Sequence, residues 1–121
     1  MTFDWREYLT LSRFLQAQTE QAFSHEAACR SAVSRAYYSA FCCARNYARD
    51  RQAFLPFYDS RDHAEVRRHF ERQPGQLEIA SLLSSLRQWR NHCDYRDTVR
   101  QLPKMVADSI RAAQDVFDML W

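Results

Sequence analysis

Apolar positions recur with a helical period along most of this chain. Residues 3 to about 22 predict a first helix, which Asp4 can cap and in which Trp5, Tyr8, Leu9, Phe14 and Leu15 fall near helical spacing. Ser24 reads as the N-cap of a long second helix to about Arg49. Its Ala28, Ala32, Val33, Ala36, Tyr37, Ala40, Phe41, Ala44 and Tyr47 form a wide apolar face. Many of these residues are small, so neighbouring helices can approach closely. A face this wide calls for contact on more than one side, as in the central helix of a bundle or one shared with a second protomer. Residues 50–61, with Phe54-Leu55-Pro56-Phe57-Tyr58, have no regular period and predict an ordered loop with aromatic anchors. A short helix follows from about Asp62 to Arg72, carrying His63, Val66, His69 and Phe70, and Gln73-Pro74-Gly75 ends it. The next helix is expected from about Leu77 to His92, then a polar connection from Asp94 to about Thr98, then a last helix up to Trp121. Pro103 is tolerable in that helix's first turn, and Val106, Ile110, Ala113, Phe117 and Leu120 supply its core stripe.

No linker, repeat or low-complexity segment interrupts this pattern, so residues 1–121 are expected to form one all-α domain. A chain of 121 residues can bury a real core, though dimerisation would help it. One Gly and three Pro argue against a β-rich fold, which needs many tight turns. No apolar run approaches the roughly 20 residues of a membrane span, and the N-terminus has no signal-peptide pattern. The expectation is a soluble, cytoplasmic protein without a membrane partner.

Charge adds little by itself, with 17 Lys+Arg against 15 Asp+Glu. Lys104 is the only Lys, however, and the Arg fork suits phosphates and carboxylates. That bias permits nucleic-acid binding; it also follows from a GC-rich genome. Cys29, Cys42, Cys43 and Cys93 show no C-x-x-C spacing, so they are expected to be buried structural thiols. His63 and His69 stand six apart with no carboxylate pair beside them, and no metal or other cofactor is expected. Kinase, hydrolase and glycosidase readings lack their Gly-rich loop, nucleophile elbow and paired carboxylates.

The chemistry concentrates in Leu86-Arg87-Gln88-Trp89-Arg90-Asn91-His92-Cys93-Asp94-Tyr95. At about 100° per residue, Ile79, Leu82, Leu83, Leu86, Trp89 and Cys93 share one side, with Arg90 inside that arc and Asp94 one turn on. Arg87, Asn91 and Asp94 share an adjacent face. His92 lies well away from Arg87, so the two meet only if the helix end unwinds or a second chain completes the site. A core-facing Arg is costly unless its donors are satisfied. Two readings stay open. Either Asp94 holds Arg90 at i,i+4, or the charges form a pocket for phosphate or a nucleic-acid backbone, with His92 as acid/base or Tyr95 as a modifiable hydroxyl. On the second helix Tyr37 belongs to the core stripe, while Arg35 and Tyr38 lie off it and are candidates to line a dimer groove.

Ser31-Ala32-Val33-Ser34-Arg35-Ala36-Tyr37-Tyr38-Ser39-Ala40-Phe41, then His63, then Leu86 through Tyr95, resembles small prokaryotic HEPN-domain proteins. The closest likeness is to the branch with a Ser-Arg-Ala-Tyr-Tyr-x-Ala-Phe helix and an Arg-Asn-x-x-Asp-Tyr ending, and it covers roughly residues 24 to 118. The resemblance implies an antiparallel four-helix bundle with an additional short helix, usually a homodimer whose Arg-bearing helix ends meet near the two-fold axis. It also implies a metal-independent ribonuclease or toxin-like RNA-targeting activity, in which an Arg and a His about five residues on do the chemistry. Arg87 and His92 fit that spacing, with Arg90, Asn91, Asp94 and Tyr95 as the supporting shell. The His would assist attack of a ribose 2′-OH on the adjacent phosphate, and the Arg would stabilise the developing charge. The resemblance equally accommodates a non-catalytic module that binds a nucleotide, or a partner such as a minimal nucleotidyltransferase antitoxin. Gln88 follows Arg87 where the active branches usually carry Asn, Asp or His.

Overall fold

The longest predicted helix organises the molecule. The computed structural model describes residues 2–18 and 22–121, and its helices are α1 (Arg6–Ala17), α2 (His25–Arg51), α3 (Asp62–Arg72), α4 (Leu77–Tyr95) and α5 (Leu102–Leu120). Ser24 caps α2 as expected, its Oγ accepting from Ala27 N at 3.0 Å, which satisfies one of the free N–H groups at a helix start. Along α2 the alanines 28, 32, 36, 40, 44 and 48 repeat every fourth residue, and all are buried. Each step of four overshoots a full turn by about 40°, so this small-residue row winds around the helix. Successive neighbours can therefore lie close against different sides of α2.

Side-chain ties fix the directions. Ser12 Oγ donates to the Ala32 carbonyl at 2.6 Å and Ser39 Oγ to that of Trp5 at 2.7 Å, so α1 runs antiparallel to α2. Arg30 meets the end of α4 and Gln52 meets Gln76 at its start, so α4 is antiparallel to α2 as well. Cys93 Sγ lies 3.6 Å from Met105 Sδ, while Trp121 Nε1 donates to Cys43 Sγ at 2.9 Å. That sets α5 antiparallel to α4 and parallel to α2. The short α3 folds back along α4 through a turn at Gly75, whose φ of 75° suits glycine. All five helices contribute to one continuous core, with Leu9, Val33, Tyr37, Phe70, Leu83, Leu86, Val106 and Val116 among its members. The all-α bundle expectation holds.

Three boundaries differ from the sequence reading. α1 ends at Ala17, where Gln18 turns to extended backbone with ψ of 135°; residues 19–21, assigned to that helix by periodicity, lie outside the described residues. α2 continues to Arg51. α4 continues through Tyr95, so Asp94 and Tyr95 are helical and do not belong to the polar connection. Arg30 explains this extension. Its guanidinium donates to the carbonyls of Cys93 at 3.1 Å, Arg96 at 2.5 Å and Asp97 at 2.9 Å, meeting part of the acceptor demand at a helix C-terminus.

The predicted aromatic loop is ordered by one carboxylate. Asp62, 1% exposed, accepts Phe57 N at 2.9 Å and Tyr58 N at 2.8 Å. All four cysteines are unpaired and buried. Burial pushes Cys42 and Cys93 up to about 11 and Cys43 to about 12, so these thiols stay protonated and inert. Among the described residues no helix is long and apolar enough to cross a membrane.

Candidate functional site

Two arginines one turn apart on α4 have opposite surroundings. Arg90 has a partner at each nitrogen: Nε donates to Asp94 Oδ2 at 2.9 Å, Nη1 to Asn91 Oδ1 at 3.1 Å and Nη2 to Tyr38 Oη at 3.0 Å. Its guanidinium also lies over the rings of Tyr38 and Tyr95, at 5.3 and 5.6 Å. Ser34 Oγ donates to the same Asp94 oxygen at 3.4 Å, tying the pair back to α2. The i,i+4 pair expected from spacing is therefore present, with 16% of the Arg90 side chain exposed. Arg90, Asn91, Asp94 and Tyr95 form one assembly.

Arg87 lacks such partners. Its Nε is buried with no hydrogen-bond acceptor, and among the described residues no carboxylate pairs with it. An N–H stripped of water and left without an acceptor is costly and asks for an explanation. Arg87 lines a cleft of about 350 Å³ with Arg67, Ser84, Gln88 and Asn91. Positions 84, 87, 88 and 91 follow the i, i+3, i+4, i+7 pattern of one helix face, and α3 supplies Arg67 from across the gap. Arg67 Nη1 donates to Ser84 Oγ at 3.3 Å and its Nε to the His63 carbonyl at 3.3 Å. The lining holds two guanidiniums, a hydroxyl and two amides, but no carboxylate. That composition suits an anion.

His63, in the first turn of α3, stands beside these charges. Its Nδ1 makes a short hydrogen bond with Tyr37 Oη, and its ring stacks on Phe41 with centroids 4.5 Å apart. Burial and then the positive charges of Arg87, Arg90 and Arg67 push its pKa below the usual 6.5, with Asp62 opposing them. The ring is thus neutral at pH 7. Burial pushes the Tyr37 phenol well up, so that group keeps its proton. In the tautomer that donates Nδ1–H to the Tyr37 oxygen, Nε2 presents a lone pair, the state a general base requires.

No protein-family model matches this chain, and neither a curated protein nor a solved structure matches it. The site is read from its own geometry. A larger groove of about 530 Å³ lies between α1 and α5, but Asp118 lines it and Arg13 is tied to Gln114 at 2.9 Å. Among the described residues no group of three His, Cys, Asp or Glu is placed to hold a metal.

The structure brings Arg87 into a cleft with Asn91, but it does not bring His92 there. Five residues on an unbroken helix separate the two by about 140°, and His92 makes no side-chain hydrogen bond to the described residues. Arg35 and Tyr38 line a groove walled by α1 and the loop before α3, within one chain. Sequence reasoning missed Arg67 and Ser84 as cleft residues and the hydrogen bond between His63 and Tyr37. It had placed His63 only in a family motif and a rejected metal pair, because the approach of α3 to Arg87 is a tertiary fact without a local signal.

Proposed function

We propose that this chain is a HEPN-type metal-independent ribonuclease, with the Arg67–Arg87 cleft holding the scissile phosphate and His63 as its acid/base group. The observation that supports it is the Arg87 guanidinium, which lines the cleft with a desolvated Nε that has no acceptor and whose charge helps keep the His63 ring neutral. Phosphate oxygens would supply the missing acceptors. His63 Nε2 takes the proton of a ribose 2′-OH, and that oxygen attacks the adjacent phosphorus. The bond to the 5′-oxygen breaks, and the leaving oxygen takes a proton from water. The products are a 2′,3′-cyclic phosphate and a 5′-OH. Arg87 and Arg67 stabilise the charge that builds on the phosphoryl oxygens, while Tyr37 and Phe41 hold the imidazole in place.

The proposal includes a homodimer acting in the cytoplasm, and four unpaired thiols fit a reducing compartment. His92 joins the chemistry only across a dimer interface. One observation favours a second reading, a non-catalytic HEPN module that binds a nucleotide or a partner such as a minimal nucleotidyltransferase antitoxin: Arg87 and His92 stay apart on a continuous helix.

Incubation of a mixed RNA pool with the purified protein in EDTA tests these readings. Cyclic-phosphate ends from the wild type and from His92→Ala, but not from His63→Gln or Arg87→Ala, support the proposal. Loss in His92→Ala with retention in His63→Gln moves the chemistry to the Arg87–His92 pair across a dimer. No cutting by a folded wild type that still binds a nucleotide supports the non-catalytic module.

A further inference from the structure

Tyr38, which accepts from Arg90, also lines a second groove, of about 410 Å³, with Trp5, Tyr8, Arg35, Arg45 and Tyr58 among others. Its guanidiniums alternate with aromatic faces. Arg35 sits 4.8 Å over Tyr8 and 5.2 Å over Tyr38, and Arg45 sits 5.7 Å over Trp5 and 5.2 Å over Tyr58. Among the described residues neither Arg35 nor Arg45 is paired with a carboxylate. The two acids in the lining are engaged elsewhere: Asp59 pairs with Arg61 at 2.6 Å, and Asp62 accepts the N–H groups of the loop. The groove therefore interleaves aromatic rings with two guanidiniums.

The loop is held so that Tyr58 reaches this groove. Tyr58 adopts φ of 59°, a left-handed conformation uncommon for a residue with a side chain, and Asp62 fixes it there. Tyr38 connects the groove to the neighbourhood of the phosphate cleft. It lines the groove, accepts from Arg90 Nη2, and meets His63 edge-on with centroids 6.1 Å apart. Stacking surfaces beside a cationic track are how proteins hold unpaired bases along a single strand.

We infer that this groove is a nucleobase subsite, so that the substrate of the Arg67–Arg87 cleft is single-stranded RNA whose base stacks among Tyr8, Tyr38, Tyr58 and the Arg35 and Arg45 planes. The inference rests on the phosphate reading above. It is tested by comparing the affinity of the full chain for a short single-stranded 2′-O-methyl oligonucleotide with that for an abasic chain of equal length. The base-bearing strand should bind about tenfold more tightly, the worth of roughly one stacked base. Tyr8→Leu should reduce that preference several-fold and leave abasic affinity within about twofold, because Tyr8 does not line the phosphate cleft. Tyr58→Leu, at an exposed loop position, should do the same, giving up the hydrogen bond its hydroxyl accepts from Arg49. Arg87→Ala should weaken both ligands. Equal binding of the two strands by the wild type, or an undiminished preference in both Tyr variants, overturns the base subsite while the phosphate reading stands. Failure of either strand to bind at all overturns both.

Discussion

Arg87 and Arg90 share a helix, a charge and a neighbourhood, yet the protein treats them differently. Arg90 sends all three guanidinium nitrogens to Asp94, Asn91 and Tyr38 and lies over the rings of Tyr38 and Tyr95. Arg87 opens onto a cleft with a second arginine and leaves a buried N–H without an acceptor. The comparison shows that proximity to a charged cluster does not define a ligand-binding residue. What separates the two is whether the chain supplies acceptors: each nitrogen of Arg90 has one, and the buried Nε of Arg87 has none.

The comparison breaks most visibly at Arg87. Replacing it with alanine should lower RNA cleavage by roughly 10²–10³-fold, the worth of one charge-stabilising donor. The same change should move the urea midpoint little in either direction, because no internal partner is lost. A large loss of stability with unchanged cleavage would place Arg87 among structural residues. Arg90→Ala should behave oppositely, costing about 1–3 kcal/mol in urea unfolding through the lost hydrogen bonds and the stranded Asp94. Its remaining folded fraction should still bind phosphate in the Arg87 cleft.

A smaller effect sharpens the same contrast. Asp94→Asn should cost roughly 1 kcal/mol, since the amide keeps an oxygen for Arg90 but gives up the charge. Stability equal to wild type would mean that Asn91 and Tyr38 hold Arg90 unaided.

The smallest expected effect is a pH dependence. The folded pKa of His63 lies below its unfolded value of 6.5, so the unfolded chain takes up protons first as pH falls. Stability contributed by the neutral ring is complete above that value and is lost as pH falls from 6.5 towards the lower folded pKa. His69, also lowered by burial and then by Arg72, adds to the same slope. Urea midpoints measured across about pH 7 to about pH 5 should fall, and His63→Gln should flatten part of that fall. An identical slope in the variant would detach His63 from the charge cluster.

Much of the fold was legible because its information is local. The Ser24 cap, the break at Gln73-Pro74-Gly75 and the core stripe of α5 follow from spacing and turn chemistry, and the structure has them. The Arg90–Asp94 pair was equally legible, since i and i+4 meet on any helix. Less could be read where partners are remote. Arg30 extends α4 by binding carbonyls more than 60 residues away, which no periodicity encodes. His63 reaches Tyr37 and the arginines only because α3 folds back along α4. Arg87 and His92 show the converse: their spacing looked like a pair, but an unbroken helix turns them apart within one chain.

The central claim is that Arg87 contacts a phosphate and Arg90 does not. The most direct measurement is the salt dependence of affinity for a non-cleavable single-stranded 2′-O-methyl oligonucleotide, taken for wild type, Arg87→Ala and Arg90→Ala under conditions where each is folded. Loss of one phosphate contact should reduce the slope of log K against log salt by about 0.7 in Arg87→Ala. The slope in Arg90→Ala should match the wild type. Equal slopes for wild type and Arg87→Ala, or a reduced slope only in Arg90→Ala, would contradict the account.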